Sequence, residues 1–311
     1  MLDGMSDLID ASTRSVTTGL LQRTLKSPIH CNGIGLHSGS TINMTLVPAD
    51  PDTGILFRRI DLKNGARDIR ARYDAVIDTR LCTTIANDHH GSVATVEHLM
   101  AALAGCGVDN VVVELDGPEV PVMDGSSEPF VFLIDCAGVV EQAAERSVLR
   151  IKRPVAVESG LSTAALEPGN RFTMAMGIDF DSRAIGRQDI FLEISDLTFK
   201  RELSQARTFG FLHEVEAMRA AGLARGGSLD NAVVIDGDSI MNTDGLRLDD
   251  EFVRHKALDC VGDLALAGAP ILGHFKGRRT GHDLNNRLLR AVFADADNYE
   301  LVPSSSVLTS V

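Results

Sequence analysis

The segment E-F-V-R-H-K-A-L-D-C-V-G-D-L-A-L-A-G, Glu251 to Gly268, constrains the fold more than any other. Set out at about 100° per residue it reads as one long helix. Its apolar side chains Val253, Ala257, Leu258, Cys260, Val261, Leu264 and Ala265 spread over roughly more than a third of the circumference. A helix this apolar belongs in an interior, so its polar residues must face a cavity or a partner. Those residues are ordered: His255, Asp259 and Asp263 fall at i, i+4 and i+8 in one narrow stripe, with Lys256 beside it.

A histidine and a carboxylate one turn apart can aim at a single ion, and catalytic zinc usually takes three protein ligands and leaves a fourth position open. His255 and Asp259 supply two, and His98 is the natural third. It lies in T-V-E-H-L-M-A-A-L-A-G, Thr95 to Gly105, where Val96, Leu99, Met100 and Leu103 mark one face of a second helix. With Thr95 as N-cap, Glu97 and His98 occupy the first turn, where the helix dipole favours an ionised glutamate and a neutral, metal-binding imidazole. The pair then reads as general base and ligand. Taken singly each motif has a plainer reading: a dipole-compatible surface turn for E-H, an i,i+4 surface pair for H-x-x-x-D. The extension of the stripe to Asp263 inside an apolar helix favours function.

Elsewhere strand-like alternation appears at Ile42, Met44 and Leu46, at Val111 to Val113, at Phe172 to Ile178 and near Asp189 to Ile194. Helices are expected from about Phe211 to Gly222 and after Asp283, and a strand at Ala232 to Ile235. This irregular alternation, over a length that suits about two domains, indicates an α+β fold with two domains joined near residues 143–150. The partition is a polar tail over 1–20, an N-terminal domain over 21–146 carrying Glu97 and His98, a C-terminal domain over 147–295 carrying His255, Asp259 and His282, and a tail over 296–311. The formal net charge of −13 argues against a nucleic-acid binder. The five cysteines are scattered and never C-x-x-C, which suits a reducing cytoplasm. No 18-residue apolar run is present, so no transmembrane segment is expected. G-H-F-K-G-R-R-T-G-H-D, Gly273 to Asp283, reads as a loop whose Lys276, Arg278 and Arg279 form the densest basic patch, suited to a phosphate-bearing substrate or simply solvated. His282 falls there between Gly281 and the expected N-cap Asp283. G-I-G-L-H-S-G, Gly33 to Gly39, has its third glycine misplaced for a dinucleotide loop.

Q-R-T-L-K, G-I-G-L-H-S-G, T-V-E-H-L-M-A-A-L, D-G-P-E-V-P-V-M-D-G-S, R-T-F-G-F, G-G-S-L-D-N-A, F-V-R-H-K-A-L-D-C-V-G-D-L and G-H-x-L-N-N run in this order from Gln22 to about Ala294. Together they resemble the zinc-dependent UDP-3-O-acyl-N-acetylglucosamine deacetylases, which carry out the committed step of lipid A synthesis in Gram-negative bacteria. The resemblance implies two domains of two-layer sandwich type, with helices packed between two sheets and a small insert in each. It implies His98, His255 and Asp259 as zinc ligands, with Fe(II) also compatible with such a donor set. Glu97 is then the general base, His282 the general acid, and Asp263 the carboxylate that orients it. Lys256 and Thr208 polarise the carbonyl and hold the oxyanion. Phe209 packs near the sugar, and Val215, Ala224 and Ser228 line a passage for the acyl chain. The substrate implied is UDP-3-O-(3-hydroxyacyl)-N-acetylglucosamine, met in the cytoplasm close to the inner membrane. A monomer is expected, and the apolar last residues are a candidate signal for a regulatory protease, with disorder as the other reading. The competing function is a catalytically silent relative that binds metal and lipid. An open three-ligand site beside Glu97 and His282 argues against it.

Overall fold

The computed structural model describes residues 20–308. The expected tail over 1–20 therefore lies, except for Leu20, outside the described residues. The first half of the chain builds a five-stranded sheet in the order Ile29–Ile34, Thr41–Pro48, Val111–Leu115, Ile55–Arg59 and Asp68–Arg70. Strand Thr41–Pro48 turns Ile42, Met44 and Leu46 inward at every second residue, the period that produced the alternation in sequence. Helix α1 (Glu97–Gly105) and helix α2 (Glu128–Ala137) pack on each other, and α2 also meets the edge strand Ile29–Ile34.

The chain changes sheet at Arg146. Strand Val139–Glu145 pairs with Leu21–Leu25, whereas Ser147–Ile151 enters a seven-stranded sheet. The hub of that sheet is Ile271–Arg278, which pairs with Ser162–Glu167, Phe172–Asp179 and Ser147–Ile151. Two smaller three-stranded sheets stand apart from it. One joins Val76–Asp78, Thr84–Ala86 and Ser92–Val93; the other joins Phe209–Phe211, Val233–Asp236 and Ser239–Ile240, beside helix α3 (Leu212–Ala220). Helix α4 (Glu251–Ala265) packs on α1 and on the strands Phe172–Asp179 and Arg187–Glu193, and helix α5 (His282–Phe293) covers α4 and the hairpin Val155–Ser159/Ser162–Glu167. The molecule is thus α+β, with helices layered against sheets.

The α1/α4 crossing sets the site. It is close because Gly262 presents no side chain: a Cβ there would lie 2.0 Å from the Glu97 carbonyl oxygen. Gly262→Ala is expected to force the helices apart and lower stability by about 1–3 kcal/mol. Urea unfolding measures this, and an unchanged midpoint would refute the tight crossing.

Three expectations are corrected. Thr95 is not an N-cap: it has a left-handed backbone (φ 57°) and its hydroxyl donates to Glu119 at 3.0 Å, while Val96 precedes the helix. Helix α1 is not amphipathic either; Glu97 and His98 are as buried as its leucines, because neighbours cover it on nearly every side. The supposed tail 296–311 contains a strand, Tyr299–Pro303, antiparallel to Ser147–Ile151, followed by a short helix Ser304–Leu308. It was missed because five residues on a sheet edge carry no long periodicity. Residues 309–311 lie outside the described residues.

Candidate active site

Helix α4 delivers the polar stripe to the α1 crossing. His98 Nε2 lies 3.4 Å and His255 Nε2 3.3 Å from the same oxygen, Asp259 Oδ1. The two rings meet edge to face, and the three candidate ligand atoms all lie within 4.8 Å of one another. His255 Nδ1 sits 3.0 Å from the Ala206 carbonyl, which can only accept, so Nδ1 carries the proton and Nε2 keeps its lone pair. Burial lowers the His255 pKa to about 3, so the ring is neutral. Burial opposes ionisation of Asp259, yet its carboxyl is held well below the usual range, with the Lys256 ammonium the permanent positive charge against it.

Asp259 Oδ1 is buried and accepts no hydrogen bond, while Oδ2 takes the Lys256 ammonium at 3.0 Å. An orphaned buried carboxylate oxygen with two imidazole nitrogens 3.3–3.4 Å away is costly unless a cation sits among the three. The donor set, two nitrogens and one oxygen with no fourth protein ligand among the described residues, fits a divalent metal with an open position.

Two more groups flank this cluster. Glu97 Oε2 accepts the main-chain N–H of Thr83 at 2.9 Å, and Oε1 lies 4.0 Å from His282 Nε2. Burial raises the Glu97 pKa. His282 Nδ1 bonds Asp263 Oδ2 at 2.9 Å. Asp263 also accepts the Thr83 hydroxyl at 2.6 Å on Oδ1 and the Asn285 amide at 2.8 Å on Oδ2. Burial pulls His282 down, but the Asp263 charge and hydrogen bond, aided by Glu97 and Asp259, raise it to about 10. His282 is the first residue of α5 and Gly281 precedes the helix, so Asp283 is not the N-cap but an acidic first-turn residue suited to the dipole.

The raised His282 value has a consequence for stability. Its folded pKa exceeds the ordinary 6.5, so the stabilisation is full below pH 6.5 and is lost as pH rises through about 10. Urea unfolding of chelator-treated protein beside His282→Gln should show a gap widest near pH 6 that narrows toward pH 10. A constant gap would refute a protonated His282.

Lys256 and His282 both line a cavity of about 630 Å³ that also takes in Thr208, Phe209, Val215, Ala224 and Ser228. Lys256 Nζ stands 5.4 Å over the Phe209 ring. Apolar walls come from Leu36, Leu212, Met218, Leu229 and Met241, and basic groups from Arg80, Arg219 and Arg279. The basic patch is corrected here: Lys276 and Arg278 belong to a strand, Lys276 is paired with Glu167, and of the three only Arg279 reaches this cavity. Sequence reasoning missed Thr83 and Asn285. Asn285, one helical turn after His282, could have been found by spacing; Thr83 offered no pattern.

The family model described as UDP-3-O-acyl N-acetylglycosamine deacetylase matches residues 22–294. A relative from Idiomarina loihiensis is 50% identical over 283 residues, covering 90% of this chain and 92% of its own. One from Phenylobacterium zucineum is 51% identical over 282 residues, covering 91% and 96%, and one from Haemophilus influenzae 49% over 283 residues, covering 90% and 92%. All three bear the name UDP-3-O-acyl-N-acetylglucosamine deacetylase.

Proposed function

We propose, for a chain that belongs to the UDP-3-O-acyl N-acetylglycosamine deacetylase family, that it hydrolyses the N-acetyl group of UDP-3-O-(3-hydroxyacyl)-N-acetylglucosamine to acetate and free amine in lipid A biosynthesis. The observation that carries the reading is the pair Glu97 and His282, 4.0 Å apart beside three convergent metal-type donors. His98, His255 and Asp259 would hold Zn2+, with Fe2+ the alternative, and such an ion supplies Lewis acidity and water acidified toward neutrality.

The chain's own residues carry the protons. Glu97, ionised and buried, takes the proton of the attacking water as the C–O bond forms. His282, positively charged at neutral pH, gives its Nε2 proton to the nitrogen as the C–N bond breaks, so the amine leaves neutral. Asp263 fixes the His282 ring through Nδ1. Lys256 and Thr208, both on the cavity wall, face the charge that develops on the carbonyl oxygen, where a donor can be worth roughly 3–4 kcal/mol. Phe209 packs near the sugar, Arg279 suits a phosphate, and Val215, Ala224 and Ser228 line the route of the acyl chain.

The reading includes a monomer working in the cytoplasm beside the inner membrane, and regulation by a protease acting on the C-terminal end. Among the described residues no helix is long and apolar enough to cross a membrane. The test is acetate release from UDP-3-O-(3-hydroxyacyl)-N-acetylglucosamine by the purified protein. Turnover supports the reading; bound metal without turnover points to the silent metal- and lipid-binding alternative.

A further inference from the structure

We propose that Thr83 is a positioning residue that holds the base and the acid of the site in one register; the inference rests on the deacetylase reading above. Glu97 stands on α1 and Asp263 on α4, and Thr83 comes from a third segment, just before strand Thr84–Ala86. Its main-chain N–H donates to Glu97 Oε2 at 2.9 Å and its hydroxyl to Asp263 Oδ1 at 2.6 Å. With Oδ1 taken by Thr83, and Oδ2 by His282 and Asn285, the Asp263 carboxylate is pinned on both oxygens. The plane of Asp263 sets the tilt of the imidazole that must deliver a proton. Thr83 is 1% exposed, and its N–H and hydroxyl are both spent on these two carboxylates, so it acts through them and not on the substrate.

Thr83→Val keeps the shape and the main-chain donor but leaves Asp263 Oδ1 buried without a partner. The carboxylate then turns, or the segment shifts and loosens its hold on Glu97, and both proton transfers lose alignment. The expected result is a fall in kcat of about 10- to 100-fold with KM for UDP-3-O-(3-hydroxyacyl)-N-acetylglucosamine held within about twofold. Metal content and folding remain as in the wild type. Thr83→Ser, which keeps the donor, should recover most of the rate.

An independent readout is the proton resonance of His282 Nδ1–H in 15N-labelled protein, which should move in Thr83→Val and not in Thr83→Ser. Should Thr83→Val fail to fold, Thr83→Ala makes the same comparison. An unchanged kcat in the valine variant overturns the proposal. So does a serine variant as slow as the valine one, or a loss of metal and KM together with kcat, since each marks packing as the cause. If the wild type releases no acetate, the deacetylase reading fails on its own; the resonance still decides Thr83, a shift supporting it and an unmoved signal overturning it.

Discussion

Glu97→Gln is expected to lower kcat for deacetylation by about 10²- to 10⁴-fold, the range that one positioned base contributes. Glutamine has the same length, and its carbonyl oxygen can still accept the Thr83 N–H that holds Oε2 in the wild type. What disappears is the proton acceptor. Metal content should stay at the wild-type level, because Glu97 is not among the three convergent donors, and KM should change little. The pH profile gives a second reading. Burial raises the Glu97 pKa, so the wild-type rate should fall on the acid side at a higher pH than for an ordinary glutamate, and that limb should vanish in the variant. A variant within severalfold of wild type, with its acid limb intact, would remove Glu97 from the role of base.

Of the site residues, the stripe on helix α4 was legible, whereas Thr83 on a connection and Asn285 on helix α5 were missed. His255, Asp259 and Asp263 could be read because a helix repeats every 3.6 residues, so a stripe in sequence is a stripe in space. His98 could be joined to them by the chemistry of a third ligand and by the family motifs, since no spacing in the linear sequence says that α1 crosses α4; Gly262, which permits the crossing, reads in sequence as any other glycine. Thr83 sits in an irregular segment where no periodicity marks which way a side chain points. Lys276 and Arg278 misled for the opposite reason. Clustered charge suggested a loop, yet on the strand Ile271–Arg278 they are exposed while the apolar neighbours turn inward. Thr95 misled because a threonine before a helix usually caps it, whereas here the buried Glu119 carboxylate claims its hydroxyl.

Stripping the metal with a chelator is expected to abolish acetate release, and adding one equivalent of Zn2+ to restore it. The same treatment should lower the thermal midpoint, because a ligand present at 1,000 times its Kd stabilises the folded state by about 4 kcal/mol. That shift does not depend on the substrate being right. The donors can also be told apart. Asp259→Asn removes the charge of the carboxylate whose Oδ1 has no other partner, and should weaken binding by more than about 100-fold, a larger loss than outer residues give. Asp263→Asn should leave metal content unchanged while slowing turnover, since both Asp263 oxygens are already engaged by Thr83, His282 and Asn285 and none is free for an ion. Equal metal loss in both variants would mean that the stripe on α4 supplies two carboxylates to the ion, and His282 would then need another residue to orient it. A wild type that takes up neither Zn2+ nor Fe2+ would leave the unpartnered Asp259 oxygen with no physical account and would sink the metal centre itself.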